Sequence, residues 1–365
     1  MTGQLGLALI AILLGAVAGV LLFVPFVAVS YRRHGGLSPT RATLWAAALV
    51  YGWAVWVYTL LPLPAPDSIA CVGYNTDPLQ FVTDLSAAVT RDGMSLRALA
   101  TDSLVLQLAL NVLLFMPLGF FVRVLGRRGV VTAAVCGLVL SAIIETTQLT
   151  GVWGLYSCAF RVFDVDDMLT NTVGAVLGSL VALLVRARAP WEAVDVEALA
   201  SRPVSKTRRL IGMLCDWFGL TLTTFAATVA VRAFILFQFG HEALLRNDSL
   251  TSRLGTTVAL VLWLGYTVVS GTTVGDAAVQ IRYTRARLGG RRAALVRFAA
   301  GIGGYGLLEL LPQPWTIFAT LFAAAAVVFA LATTSGRGLP GVVLGARVVG
   351  TPRTGRVRRR ERAGA

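Results

Sequence analysis

The chain has 365 residues, of which 56% are hydrophobic and 14% charged, against roughly 25% charged in an ordinary soluble domain. Its mean hydropathy is +0.74 and its formal net charge is +14. So few charges cannot cover so much apolar surface in a soluble fold of this size. A soluble enzyme, a disulfide miniprotein and a disordered chain are excluded, and an all-α polytopic membrane bundle is implied.

Apolar runs lie at about 4–30, 42–61, 105–122, 129–149, 168–185, 210–236, 254–274, 298–311 and 314–334, and a crossing helix needs roughly 20 such residues. This predicts about nine spans. The first run is longer than a signal peptide's apolar core, and no Lys or Arg precedes Arg32, so it reads as a span and not as a cleaved signal. The run at 298–311 is short and rich in glycine (Gly301, Gly303, Gly304, Gly306).

The basic residues fall in alternate loops. Those after spans one, three, five, seven and nine carry 26 of the 32 Lys and Arg. The loop at 62–104 instead holds Asp67, Asp77, Asp84, Asp92 and Asp102, and the loop at 150–167 holds Asp164, Asp166 and Asp167. Basic loops stay in the cytoplasm, so the N-terminus is expected outside and the C-terminus inside. The basic balance thus has an explanation in membrane orientation, and no nucleic-acid partner is expected.

A polar segment at 190–208 divides the chain. The expected organisation is a front part at 1–189 with five spans, a cytoplasmic linker at 190–208, a back part at 209–349 with four spans, and a basic disordered tail at 350–365. Cys136 and Cys215 fall in spans. Cys71 and Cys158 fall in two outward loops, on the oxidising side, where they either form a disulfide or stand apart as two thiols.

Polar residues gather where the front spans should be apolar. Asn111 lies about two turns into span three. Glu145 and Gln148 lie near the outer end of span four, and Asp167 and Asn171 share a face at the start of span five, preceded by Arg161, Asp164 and Asp166. Ionisable groups at such depth need partners or water. Arg161 is the expected counter-charge for Glu145 or Asp167, and Asp164 or Asp166 could cap span five. The cluster reads either as glue for the bundle or as an outward pocket for an amphiphilic ligand. Gly174 and Gly178 have the small-xxx-small spacing of close helix contact, and Pro117 would kink span three.

The stretches NVLLFMPLGFF (111–121), SAIIETTQ (141–148) and RVFDVDDMLTNTVGAVLG (161–178) resemble, in order, the three blocks of the VanZ-like membrane family. The resemblance covers about residues 20–187. It implies an association with low-level resistance to the lipoglycopeptide teicoplanin, and it brings no settled biochemical activity. The back half is similar to the RDD family, some of whose members are proposed to move ions. Arg209 stands seven residues before Asp216, as that family's opening pair does, while Gly341 stands where its second Asp would be and Ala346 where a Thr would be. Asp216 could pair with Arg208, Arg209 or a basic residue of the 275–297 loop.

The functional expectation is an envelope protein binding a lipidated or lipid-linked ligand among membrane lipids through Asn111, Glu145, Gln148, Arg161, Asp164, Asp167 and Asn171. The alternatives are an enzyme on lipid-linked precursors, with Glu145 or Asp167 as general base, and an ion transporter in the back half. The cluster holds no histidine, no serine-nucleophile motif and no metal-ligand spacing. GIGGYG (301–306) follows no strand and reads as helix packing and not as a nucleotide loop, so no cofactor is expected.

Overall fold

The computed structural model describes residues 2–61, 63, 71–92, 102–159, 161–188, 204–239, 248–284, 286–333 and 336–351. The expected linker lies outside them up to residue 203, and the expected tail lies outside them from residue 352. The protein is an all-α bundle with two short two-stranded pairings. Among the described residues seven helices are long and apolar enough to cross a membrane: Leu9–His34, Pro39–Leu60, Ser103–Val124, Val130–Leu149, Val165–Leu184, Lys206–Gln238 and Ser249–Ser270.

The chain divides into two compact units, Met1–Gly19 with Ser38–Glu192, and Val20–Leu37 with Ala193–Ala365. The first helix, α1 (Thr2–His34), contributes to both.

The first unit contains α2 (Pro39–Leu60), β1 (Tyr74–Asn75), α3 (Gln80–Asp92), α4 (Ser103–Val124), α5 (Val130–Leu149), β2 (Phe163–Asp164) and α6 (Val165–Arg188). Its centre is the contact of α6 with α4 and α5. A methyl group added at Gly119 of α4 would overlap the Ala175 carbonyl of α6, and methyls at Gly174 and Gly178 would overlap the carbonyls of Val112 and Met116. Three glycines therefore let two backbones touch, the device that membrane bundles use because lipid supplies no hydrophobic drive between helices. Val55, Phe115 and Ile144 of α2, α4 and α5 form a buried cluster beside this seam. Pro117 lacks the amide that would bond one turn back. The Tyr51 hydroxyl donates to the Leu114 carbonyl at 2.8 Å in this stretch.

The second unit holds α7 (Lys206–Phe239), α8 (Asp248–Ser270), α9 (Val274–Ala278), β3 (Ile281–Thr284), α10 (Gly290–Ala299), α11 (Ile302–Glu309), α12 (Ile317–Ala332), α13 (Gly338–Val343) and β4 (Arg347–Gly350). The strands β3 and β4 pair antiparallel. One core joins Val27 and Tyr31 to Val204, Cys215, Val279, Ile281 and Val348. A second joins Leu220, Leu260, Trp263 and Phe298. Residues 206–208, expected in the linker, are already the first turn of α7.

The expected eighth span is not one helix. It is α10 and α11, broken at Ala300 and Gly301, where Gly301 takes φ −126° and ψ −133°. Glycine permits that turn at no steric cost, and Gly303 then packs on the Phe298 ring so closely that a methyl would overlap it. The expected ninth span, α12, has 16 residues, or about 24 Å at 1.5 Å per residue.

The glycine seam makes a stability prediction. Gly178→Val is expected to destabilise the detergent-solubilised chain by more than the ~1–3 kcal/mol of ordinary overpacking, because backbone and not a movable side chain stands in the way. Gly52→Ala, where nothing lies within 4 Å, is expected to be neutral or stabilising by up to about 1 kcal/mol. Thermal unfolding of the two variants beside wild type checks this.

Candidate functional site

The antiparallel run of α4, α5 and α6 brings the start of α4, the end of α5 and the start of α6 to one end of the first unit. There Asn111 donates from Nδ2 to Asp167 Oδ1 at 2.6 Å. The Asp164 amide donates to Glu145 Oε2 at 3.2 Å. Glu145 is 4% exposed, so its carboxyl sits under the loop that leads into α6.

The other predicted residues take structural tasks. Asp164 is the N-cap of α6: its Oδ1 accepts the Asp166 amide at 2.9 Å and Asn75 Nδ2 at 3.3 Å. Gln148 Nε2 and Arg161 Nη1 donate to the same Thr59 carbonyl, at 2.8 and 3.0 Å, and so tie down the last turn of α2. Asn171 Nδ2 donates to the buried Ser141 hydroxyl at 2.9 Å, one turn deeper than Glu145.

Arg161 therefore meets the acids of the cluster through space and not by direct contact. No ion pair within 4.0 Å joins it to Glu145 or Asp167 among the described residues. The carbonyls of a helix's last turn have no partner within the helix, and Arg161 satisfies one of them.

Asp166 has a role that the sequence did not suggest. Buried to 4% exposure, its Oδ1 accepts the Leu79 amide at 2.7 Å and its Oδ2 the Phe81 amide at 2.9 Å. It caps α3 across 85 and more residues of chain. The only sequence signal was a third carboxylate in a stretch where one suffices as a cap. Around it, Cys71 and Cys158 form a disulfide with Cα atoms 5.6 Å apart. The Val72 amide donates to the Ala159 carbonyl at 3.1 Å, and β1 pairs with β2 in parallel, Tyr74 against Phe163. Residues 71–92 are thereby fastened over the end of the bundle that carries Glu145 and Asp167.

The link from α5 to β2 begins with four consecutive left-handed residues, Gly151, Val152, Trp153 and Gly154, at φ 60°, 57°, 58° and 88°. Such backbone costs about 1–3 kcal/mol at each of the two non-glycine positions. Gly151 is required, since a methyl there would stand 2.7 Å from the Tyr156 carbonyl. The turn leaves Trp153 exposed, near the exposed Leu155 in sequence, and Tyr74 and Leu79 are exposed on the fastened loop.

The second unit has its own polar cluster. Arg209 Nη1 is ion-paired with Asp276 Oδ1. Asp216, expected to pair with an arginine, instead accepts the Gly275 amide on Oδ1 at 2.6 Å and the Thr273 hydroxyl on Oδ2 at 2.7 Å. The Thr273 oxygen accepts the Asp276 amide in turn and caps α9. The physical reason is closeness: a methyl on Gly275 would overlap the Gly212 carbonyl, so the turn into α9 lies against Asp216 and donates to both of its carboxylate oxygens. Arg208 donates to the carbonyls of Val279 and Gln280, at 2.8 and 2.6 Å. Arg209 and Arg297 both lie over the Tyr283 ring, at 5.5 and 4.6 Å. Burial pushes the Tyr283 hydroxyl well above its usual range.

Residues 48–186 match the family model described as VanZ/LLP1. That range contains α4, α5, α6 as far as residue 186 and all seven residues predicted for the cluster, so this part of the chain is similar to the VanZ/LLP1 family. No curated protein and no solved structure matches the chain.

The roles separate by experiment. Asp166→Ala removes two hydrogen bonds to a charged group, worth about 1.5–3 kcal/mol each, and is expected to speed chymotryptic cleavage after Phe81. Glu145→Gln is expected to leave that rate near wild type. In both variants, Cys71 and Cys158 are expected to alkylate only after reduction.

Proposed function

We propose that this is a multi-pass protein of the bacterial plasma membrane, N-terminus outside and C-terminus inside, whose front unit binds the polar head of a lipidated or lipid-linked molecule at the outer leaflet and so lowers susceptibility to teicoplanin-type glycopeptides. The observation that carries this reading is how the carboxylates are used. Asp164 and Asp166 are consumed by capping, and Arg161 by a carbonyl. Glu145 and Asp167 are left as the acidic groups of the cluster without an ion pair among the described residues, beside the amide of Asn111. The two carboxylates that remain favour a ligand rich in cationic or neutral hydrogen-bond donors.

The orientation fits two facts. A Cys71–Cys158 bridge belongs to an oxidising compartment, and both cysteines lie at the end of the unit whose loops are acidic. Exposed Trp153, Leu155 and Tyr74 suit the headgroup level of a bilayer, where aromatic rings collect. They would give a lipid tail an apolar approach to the acids.

The back unit is read as a divergent RDD-like domain. Arg209 and Asp216 lie two turns apart on α7. The position of the missing second Asp, Gly341, abuts the Tyr283 ring, with an added methyl 3.2 Å from Cε1. An acid there would enter the cluster that Asp276 serves in this chain.

The test is teicoplanin and vancomycin susceptibility of one host expressing wild type, Glu145→Ala, Asp167→Ala or Gly52→Ala at matched membrane levels. Wild type and Gly52→Ala are expected to protect against teicoplanin selectively. The two acid variants are expected to lose most of that protection, since a lost charged hydrogen bond of about 1.5–3 kcal/mol weakens binding roughly tenfold or more. If wild type gives no protection, the resistance association fails for this chain.

A further inference from the structure

The strands β3 and β4 pair with Arg282 opposite Val349 and Thr284 opposite Arg347. Residues directly opposite one another share a face of the pair. Ile281 and Val348 point inward and are buried, whereas Arg282, Thr284, Arg347 and Val349 are all exposed. Arg282 and Arg347 are therefore diagonal neighbours on the outward face, about 7–8 Å apart.

Three more exposed arginines adjoin them. Arg287 lies over Gly345, where an added methyl would stand 3.0 Å from its Nε, and its amide donates to the Leu344 carbonyl at 3.0 Å. Arg291 and Arg292 stand in the first turn of α10. Ala293, next to them, shares a buried cluster with Leu344 and Ala346, and Tyr283 of β3 packs against it. One small core thus holds the segments that carry all five arginines.

Among the described residues no acid neutralises this face. Between residues 277 and 360 the sequence contains one acid, Glu309, which ends α11. Asp216 and Asp276 are buried, and Asp276 is taken by Arg209. The arrangement does not serve stability. Like charges brought together across a strand pair repel, and cations in the first turn of a helix oppose its dipole. Membrane orientation does not require it either, since the positive-inside rule asks only that basic residues lie in the loop. The face is complementary to an external anion.

The kind of anion follows from the apolar groups between the arginines. Val349, opposite Arg282, is 39% exposed, and Leu288, next to Arg287, is 40% exposed. A free phosphate or a nucleic acid would leave both in water. Guanidinium heads interleaved with apolar side chains suit the headgroup level of a bilayer. In the proposed orientation the segment after α8 lies at the cytoplasmic leaflet, where anionic lipids attract basic segments.

We infer that the outward face of β3 and β4, with Arg287 and the first turn of α10, is a docking surface for anionic phospholipid. The phosphodiester lies between Arg282 and Arg347, and Val349 and Leu288 meet the apolar side of the headgroup region. The role proposed for the front unit does not enter this inference.

The experiment is native mass spectrometry of the full chain in neutral detergent. It is titrated with dioleoylphosphatidylglycerol or with dioleoylphosphatidylcholine, which has the same tails and no net charge. Wild type is expected to hold the glycerol lipid about tenfold more tightly, and added salt is expected to weaken it. Arg282→Gln with Arg347→Gln is expected to lose about tenfold or more of that affinity, and Arg282→Lys with Arg347→Lys to keep most of it. Arg127→Gln with Arg128→Gln, which removes two exposed arginines of the first unit, is expected to have little effect. The inference is overturned if the strand pair of glutamines binds as wild type or if the first-unit pair loses as much. It is also overturned if the selectivity disappears only when the six arginines of 352–365 are replaced, or if an RNA oligonucleotide displaces the lipid. Binding that appears only in Glu192→Gln with Asp195→Asn and Glu197→Gln would make the linker the occupant and overturn it as well. Arg287→Gln, outside the strands, is expected to lose about fivefold and decides the matter if the strand variants do not fold.

Discussion

A polar group that enters an apolar medium must find its partner within the protein, and the arrangement of both units follows from that constraint. In the first unit, the amide side chains of the cluster are matched to groups on other segments: Asn111 to Asp167, Asn171 to Ser141, Gln148 to the end of α2. These matches need helices whose backbones approach within side-chain reach. The contacts of Gly119, Gly174 and Gly178 supply that approach. Packing and polar satisfaction are therefore one requirement here, since a bulky residue at the seam would separate the partners as well as the helices.

The fastened loop extends the same logic beyond the helices. Residues 71–92 could not lie on the bundle end by hydrophobic burial alone, because several of their apolar side chains face outward. A disulfide, one backbone bond, a two-residue strand pair and the Asp166 carboxylate hold them. The acids that remain, Glu145 and Asp167, lie at an end that is roofed by construction. The second unit contrasts with this. Its acids Asp216 and Asp276 are buried against a turn and an arginine, and its exposed arginines meet no acid among the described residues.

Much of this was legible before any coordinates. The seven long helices follow from the apolar runs, with ends that shift by up to six residues. The membership of the cluster at one bundle end was readable because alternating topology puts 111, 145 and 167 at similar depth. The roles were less readable. Arg161 and Asp166 lie in a loop whose path cannot be deduced from local spacing, so Arg161 was matched to a charge and Asp166 to the nearest helix start. Their actual partners, Thr59 and the amides of Leu79 and Phe81, are 85 to 102 residues away in sequence. The broken eighth run was signalled by its glycines, but hydropathy counts apolar residues and is blind to a turn between them.

The sequence by itself determined that this chain is a helical membrane protein, where its long apolar helices lie, and which polar residues share an end of the bundle. These are properties of composition and of the 1.5 Å rise of a helix, and they need no knowledge of neighbours. Tertiary structure alone decided which carboxylate caps, which binds a loop and which stays unpaired, because a hydrogen bond is settled within about 3 Å by whichever donor the packing delivers first. It alone decided that Arg209 meets Asp276 and not Asp216, and that Arg282 and Arg347 share a face, since no pattern along a chain records which distant segments pair.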